Sequence, residues 1–168
     1  MRRRHPLPRL WLMTDERMAD PLASVAALPR GSGVIFRHYA TPHRERARLL
    51  AAVRKLARRR GLTLLIARVS HNGPHRAQGL RSAAVHSPRE LAYAHRAGVN
   101  LVFISPIFAT RSHPEARPLG IQRAATLVRH ARVPAIALGG MTPRRWRQVQ
   151  ALGFHGWAAI DALAASHF

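Results

Sequence analysis

Apolar residues in this chain fall into short runs, separated by longer stretches in which they recur at helical spacing. Residues 10–14, LWLMT, form the first run and stop at Asp15. Residues 34–36 form a second, ending in Arg37-His38-Tyr39, and residues 62–67 a third. Further runs follow at 82–85, 101–104, 134–138 and 157–160. The run 101–104, LVFI, is apolar without interruption, the mark of a strand buried on both faces. Between the second and third runs, Leu49, Leu50, Val53 and Leu56 lie on one helical face.

Punctuation supports the same reading. Asp20-Pro21, Thr41-Pro42, Ser87-Pro88 and Thr142-Pro143 pair a capping residue with proline, which favours helix starts. Ser87-Pro88-Arg89-Glu90 is in addition a capping box. Gly61, Gly98 and Gly153 close helices. Helices are predicted over about 20–28, 42–60, 88–97, 121–131 and 143–152. Residues 68–80, RVSHNGPHRAQGL, fit neither period, and Asn72-Gly73-Pro74 marks a turn.

Strands alternating with helices demand a parallel sheet. Seven strands are legible, and 68–80 leaves room for an eighth unit. A doubly wound sheet and a closed (β/α)8 barrel both satisfy the alternation, although about 200 residues or more is usual for the barrel. The 168 residues, 47% of them hydrophobic, are enough for one domain with a real core. The expected organisation is a single domain over 1–168.

Composition narrows the chemistry. Cysteine is absent, which removes disulfides and thiolate metal sites. The apolar stretch behind the basic start is only residues 10–13, too short for a signal-peptide core or a membrane span. A cytoplasmic protein without membrane contact is expected. The net charge is +21, but Lys55 is the only lysine and the arginines are scattered over the whole chain. Codon bias produces such a scatter. Nonspecific nucleic acid contact stays open, yet no zinc pattern or base-stacking motif accompanies the charge.

The polar loop 105–120 after the buried strand 101–104, and Gly139-Gly140 after strand 134–138, are the candidate site, since α/β folds place ligand chemistry at such loops. The motifs found there and elsewhere resemble the thiamine phosphate synthase family, including its thiazole tautomerase (TenI-like) branch. Leu12-Met13-Thr14-Asp15 resembles the family's first strand, and Val34-Ile35-Phe36-Arg37 a strand ending in arginine. Val85-His86-Ser87 with Glu90-Leu91 is similar to its fifth strand and cap. Pro106-Ile107-Phe108-Ala109-Thr110 with Ser112 and Gly120 is similar to its most recognisable loop. Residues 134–142, PAIALGGMT, resemble the seventh strand and phosphate loop. The resemblance implies a (β/α)8 TIM barrel, shortened, with a degenerate unit around 68–80.

It also implies roles. His86 stands where the resemblance places the tautomerase branch's acid/base histidine. Arg37, Thr110, Ser112, Gly139 and Gly140 stand at positions that bind substrate or phosphate. The synthase branch implies an asparagine-aspartate pair after the third strand, to hold Mg²⁺ and pyrophosphate; here Ala67-Arg68 replaces it. Residues 68–80 contain no acid, and His113 replaces a lysine of the family loop. Magnesium needs carboxylate oxygens. The expectation is therefore no metal and no cofactor, with Mg²⁺ required only if synthase activity is retained. Asp161 stands where the family carries a serine near the phosphate. Arg68, Arg111 and Arg117 are further candidate cations, while Trp11, Trp146 and Trp157 are expected to pack.

Three functions follow. The first is a metal-independent, tautomerase-like barrel that binds a thiazole phosphate, a small-molecule phosphate ester. The second is a thiamine phosphate synthase joining hydroxymethylpyrimidine pyrophosphate to thiazole phosphate. The third is a non-catalytic degenerate barrel that binds polyanions or nucleic acid. A homodimer formed through an unpaired edge near 68–80 is the expected self-association.

Overall fold

The computed structural model describes residues 6–67, 75–77, 79–112 and 114–164, with 75–77 described as backbone. Eight strands close into a barrel in chain order. They are β1 Leu10–Met13, β2 Gly33–Phe36, β3 Thr63–Ile66, β4 His75–Ala77, β5 Leu80–Val85, β6 Leu101–Ile104, β7 Ala135–Ala137 and β8 Gly156–Ala159. The helices are α1 Pro21–Ala27, α2 His43–Arg60, α3 Pro88–Arg96, α4 Gly120–His130 and α5 Pro143–Val149. The shortened (β/α)8 barrel expected from the sequence is the fold observed.

One element departs from the alternation. All strand pairs are parallel except β3–β4 and β4–β5, which are antiparallel. A parallel crossover takes a dozen or more residues. Only 78 and 79 separate β4 from β5, so the chain can only turn back as a hairpin. The expected eighth unit is thus a reversed three-residue strand, with no helix beside it among the described residues. This strand pairs Ile66 with Arg76 and His75 with Ser82, so the edge expected to be open near 68–80 is closed. Residues 68–74 and 78, with Arg68, lie outside the described residues.

Period-two alternation sorts side chains between two cores. Trp11, Met13, Ile35, Leu65, Leu101, Phe103, Ile136 and Ala158 fill the barrel interior. Trp11 is fully buried, meets Phe103 edge-on at 5.6 Å between centroids, and donates its indole N–H to Pro8 O at 2.9 Å. The indole fits because its β2 neighbour is Gly33, where an added Cβ would lie only 2.1 Å from a carbon of the indole. Leu12, Val34, Phe36, Val102 and Ile104 face outward against Val25, Val53, Leu91, Ala124 and Leu127 of the helices. On β3 and β5, Leu64, Ile66 and Ala83 are only half-buried. Trp157 is buried and Trp146 packs against the outer core, as expected.

The caps mostly follow the sequence. Asp20, Ser87 and Thr142 each accept a backbone N–H of the first turn. Thr41 does not cap; Pro42 takes that position, with no side-chain hydrogen bond. Gly61 ends α2 in the left-handed conformation, φ 66°. No helix among the described residues is long and apolar enough to cross a membrane.

Candidate functional site

At the C-terminal ends of the parallel strands lies a cavity of about 530 Å³. Arg37, His86, Thr110, Ser112, Gly139 and Gly140 all line it, so the fold brings every predicted site residue to one place. The two loops that dominate the sequence reading are physically locked. Ile107 donates its N–H to Leu138 O at 2.9 Å, and Phe108 to Gly139 O at 3.1 Å. Gly139 sits at φ +92°, and a Cβ there would meet Pro106 Cα at 2.5 Å. Gly140, at φ +62°, leaves no room for a Cβ beside Ala109 O. Arg145 spans the same seam, donating to Gly140 O while its guanidinium lies 4.8 Å from the Phe108 ring centroid. Both glycines are therefore required by close backbone approach and left-handed geometry. Their N–H groups give no hydrogen bond among the described residues.

His86 follows β5 and is held at two points. Its backbone N–H donates to Glu90 Oε2 at 2.6 Å, and Ser87 Oγ accepts the Glu90 N–H at 3.2 Å. The carboxylate of the capping box thus reaches one residue further back than the cap itself. The ring's Nδ1 lies 2.6 Å from Ser105 O. A carbonyl oxygen only accepts, so Nδ1 carries a proton, and in the neutral tautomer the ring's lone pair is on Nε2. Nε2 has no partner among the described residues.

Thr110 Oγ1 and Ser112 Oγ lie 2.9 Å apart, and Thr110 Oγ1 also takes the Ser112 N–H at 3.4 Å. The two hydroxyls shape their own loop while lining the cavity. Arg37 is a paired cation: its guanidinium donates to Thr14 O at 3.1 Å and to Asp15 Oδ2 at 2.6 Å. Burial acts to raise the Asp15 carboxyl, but hydrogen bonds from Arg17 and the charges of Arg37 and Arg17 outweigh it and hold it below its ordinary range.

Behind Arg37 lies a cluster that the sequence reading missed. His38 is buried at φ 39° and stacks on Phe36 at 4.9 Å. Thr14 Oγ1 accepts the Arg37 N–H at 3.1 Å and is hydrogen-bonded to His38 Nδ1 at 3.0 Å. Burial, the largest influence, pushes the His38 imidazole below its ordinary range. Arg46 from α2 donates to His38 O, Arg37 O and Ala67 O, and covers the Phe36 ring at 5.1 Å. A carboxylate at a barrel strand's C-terminal end, Asp15, was the sequence signal that could have located this cluster.

Asp161 opens a short helical turn after β8 and lines the cavity. Its carboxylate lies 3.4 Å from Arg111 Nε and 3.8 Å from the Arg17 guanidinium. Arg117 also lines the cavity; His113 lies outside the described residues. Magnesium, implied for synthases, needs free carboxylate oxygens. Asp15 is bound by the Arg37 and Arg17 guanidiniums, Asp161 faces those of Arg111 and Arg17 at longer range, and no group of three or more His, Asp or Glu converges among the described residues. The donor set here does not fit a magnesium seat.

Comparison with known proteins agrees with this architecture. A thiamine phosphate pyrophosphorylase from Pyrococcus furiosus shares the fold at a TM-score of 0.78 and 22% identity, covering 97% of this chain and 93% of its own. A thiamine-phosphate synthase of Chloroflexus aurantiacus is 30% identical over 88 residues, 52% of this chain and 41% of that protein. The chain therefore matches less than half the length of that relative. One from Pyrococcus horikoshii is 22% identical over 178 residues, 92% of this chain and 86% of that protein. The TMP-TENI family, described as thiamine monophosphate synthase, matches residues 75–163. That span is more than half the chain and takes in His86, Thr110, Ser112, Gly139 and Gly140, so the chain belongs to the thiamine monophosphate synthase/TenI family.

Proposed function

We propose that the chain is a thiazole-phosphate-binding barrel that works without a metal and moves a proton on the thiazole ring, as a tautomerase does. The observation that carries this reading is the anchoring of His86. Its Nδ1–H is committed to Ser105 O at 2.6 Å, so in the neutral ring Nε2 is the basic nitrogen of a residue that lines the cavity. In a tautomerisation the base removes one carbon-bound proton and returns it to the other end of the conjugated system, so no co-reactant is needed. An imidazole with a fixed tautomer suits both halves of that exchange. The N–H groups of Gly139 and Gly140, unbonded among the described residues, and the hydroxyls of Thr110 and Ser112 would take the phosphate oxygens and the side chain of the ligand. Arg37, already bound to Asp15, adds positive potential rather than a free grip.

Isothermal titration with a thiazole phosphate tests binding, and absence of heat ends the reading. Conversion of the non-aromatic thiazole phosphate tautomer to the aromatic one, followed by ultraviolet absorbance, tests the chemistry. H86Q should lose about 10²–10⁴-fold in rate and keep its affinity. An unchanged rate would remove His86 from the chemistry.

A second reading is supported by the names of the relatives, which are synthases. Turnover of both synthase substrates with a strict Mg²⁺ requirement would establish it over the first. A third has its best support in α2, where Arg44, Arg48, Arg54, Lys55, Arg58 and Arg59 are exposed beside the single acid Glu45. Nucleic acid binding there would weaken steeply with salt.

A further inference from the structure

Asp161 gathers cations from two sides of the cavity mouth. Arg17 comes from the loop after β1 and Arg111 from the loop after β6, and both face the one carboxylate. At 3.8 and 3.4 Å these contacts are long for charge-assisted hydrogen bonds, which run at about 2.7–2.9 Å. Arg17 makes its short bond elsewhere, to Asp15 at 2.7 Å. The Arg111 side chain is 78% exposed. Pairs this open contribute little, so an incoming anion takes over the guanidiniums at small cost. Around the mouth, Arg17, Arg37, Arg111 and Arg117 stand against Asp15 and Asp161. Four cations against two carboxylates leave an excess that a phosphate monoester, at about −1.5 to −2 near neutral pH, balances. A pyrophosphate group carries more charge and would meet the Asp161 carboxylate without enough cation to offset it.

We propose that Asp161 is a specificity-determining residue for the anionic end of the ligand, biasing the cavity toward phosphate monoesters and against pyrophosphates. The proposal rests on the reading of this cavity as a phosphate-ester site. Asp161 acts by its charge, so Asp161→Asn, which keeps the shape, separates charge from packing. Asp161→Ala serves as a second variant, and thermal melts confirm that each protein folds.

The experiment is isothermal titration with inorganic phosphate and with inorganic pyrophosphate in chelator-treated buffer, followed by a thiazole phosphate. From the modest worth of one exposed charge pair, D161N should bind phosphate about threefold and pyrophosphate about tenfold more tightly. Arg111→Gln should weaken both anions. Equal gains for the two anions, or no gain, would overturn the proposal. Weaker binding of both in D161N would overturn it as well, and would make Asp161 an organiser of the arginines. If the wild type binds the thiazole phosphate while D161N leaves both inorganic anions unchanged, this inference alone falls. If neither protein binds any of the three, the phosphate-ester reading falls with it.

Discussion

Replacing Gly139 by alanine places one methyl group in the seam between the loops after β6 and β7. The added Cβ would lie 2.5 Å from Pro106 Cα, 2.7 Å from Pro106 Cβ and 3.1 Å from Ile107 N. Backbone atoms cannot rotate away, so one loop must move and strain the bonds from Ile107 to Leu138 O and from Phe108 to Gly139 O. The φ of +92° adds a backbone penalty. Left-handed strain of about 1–2 kcal/mol and overpacking of about 1–3 kcal/mol sum to a loss of about 2–5 kcal/mol. Gly153→Ala is the control, because Gly153 has φ +101° and nothing within 4 Å of the added Cβ. It should lose only the backbone share, about 1–2 kcal/mol. Urea unfolding followed by circular dichroism reads both, with midpoints compared at a common slope. Equal losses in the two variants would refute the claim that the loops interlock at Gly139.

The other predictions concern the cluster behind Arg37. Burial lowers the His38 pKa in the folded state, so the unfolded chain binds the extra proton first. Stability is then full above the unfolded value of about 6.5 and falls as the pH drops toward the folded value. His38→Asn tolerates the left-handed φ and should flatten melting temperature between about pH 7 and 5.5. The depressed Asp15 carboxyl adds a second loss at lower pH, beginning near its unfolded value of about 3.9. Arg46→Met should cost about 2–4 kcal/mol in urea, since it leaves three backbone carbonyls without this donor and uncovers Phe36. A loss below about 0.5 kcal/mol would mean that Arg46 is a surface residue in effect.

The alternation of strands and helices was legible in the sequence because its signals are local, whereas the choice of a barrel over a doubly wound sheet came from the family resemblance. Uninterrupted runs such as 101–104 and caps such as Ser87 with Pro88 need no knowledge of distant residues, and both stand in the structure where expected. The strand β4 was not legible. Its three residues, His75–Ala77, carry no apolar period, and its reversal follows from connection length alone. The predicted site residues do share one cavity, because strand ends of a barrel converge whatever the loops contain. The pairing of Asp161 with Arg17 and Arg111 escaped notice because 144 and 50 residues of chain separate the partners, and no local spacing encodes that. The tautomer of His86 escaped for the same reason, since Ser105 comes from the neighbouring strand end.

The central claim is that His86 presents an unprotonated Nε2 to a phosphate ester bound in this cavity. Nitrogen-15 NMR of the imidazoles at a pH where they are neutral, with His86 assigned by its absence in H86Q, reads it directly. The account predicts the proton on Nδ1 in the free protein and a shift of Nε2 when a thiazole phosphate saturates the site. A proton on Nε2, or a His86 spectrum unmoved by saturating ligand, would contradict it.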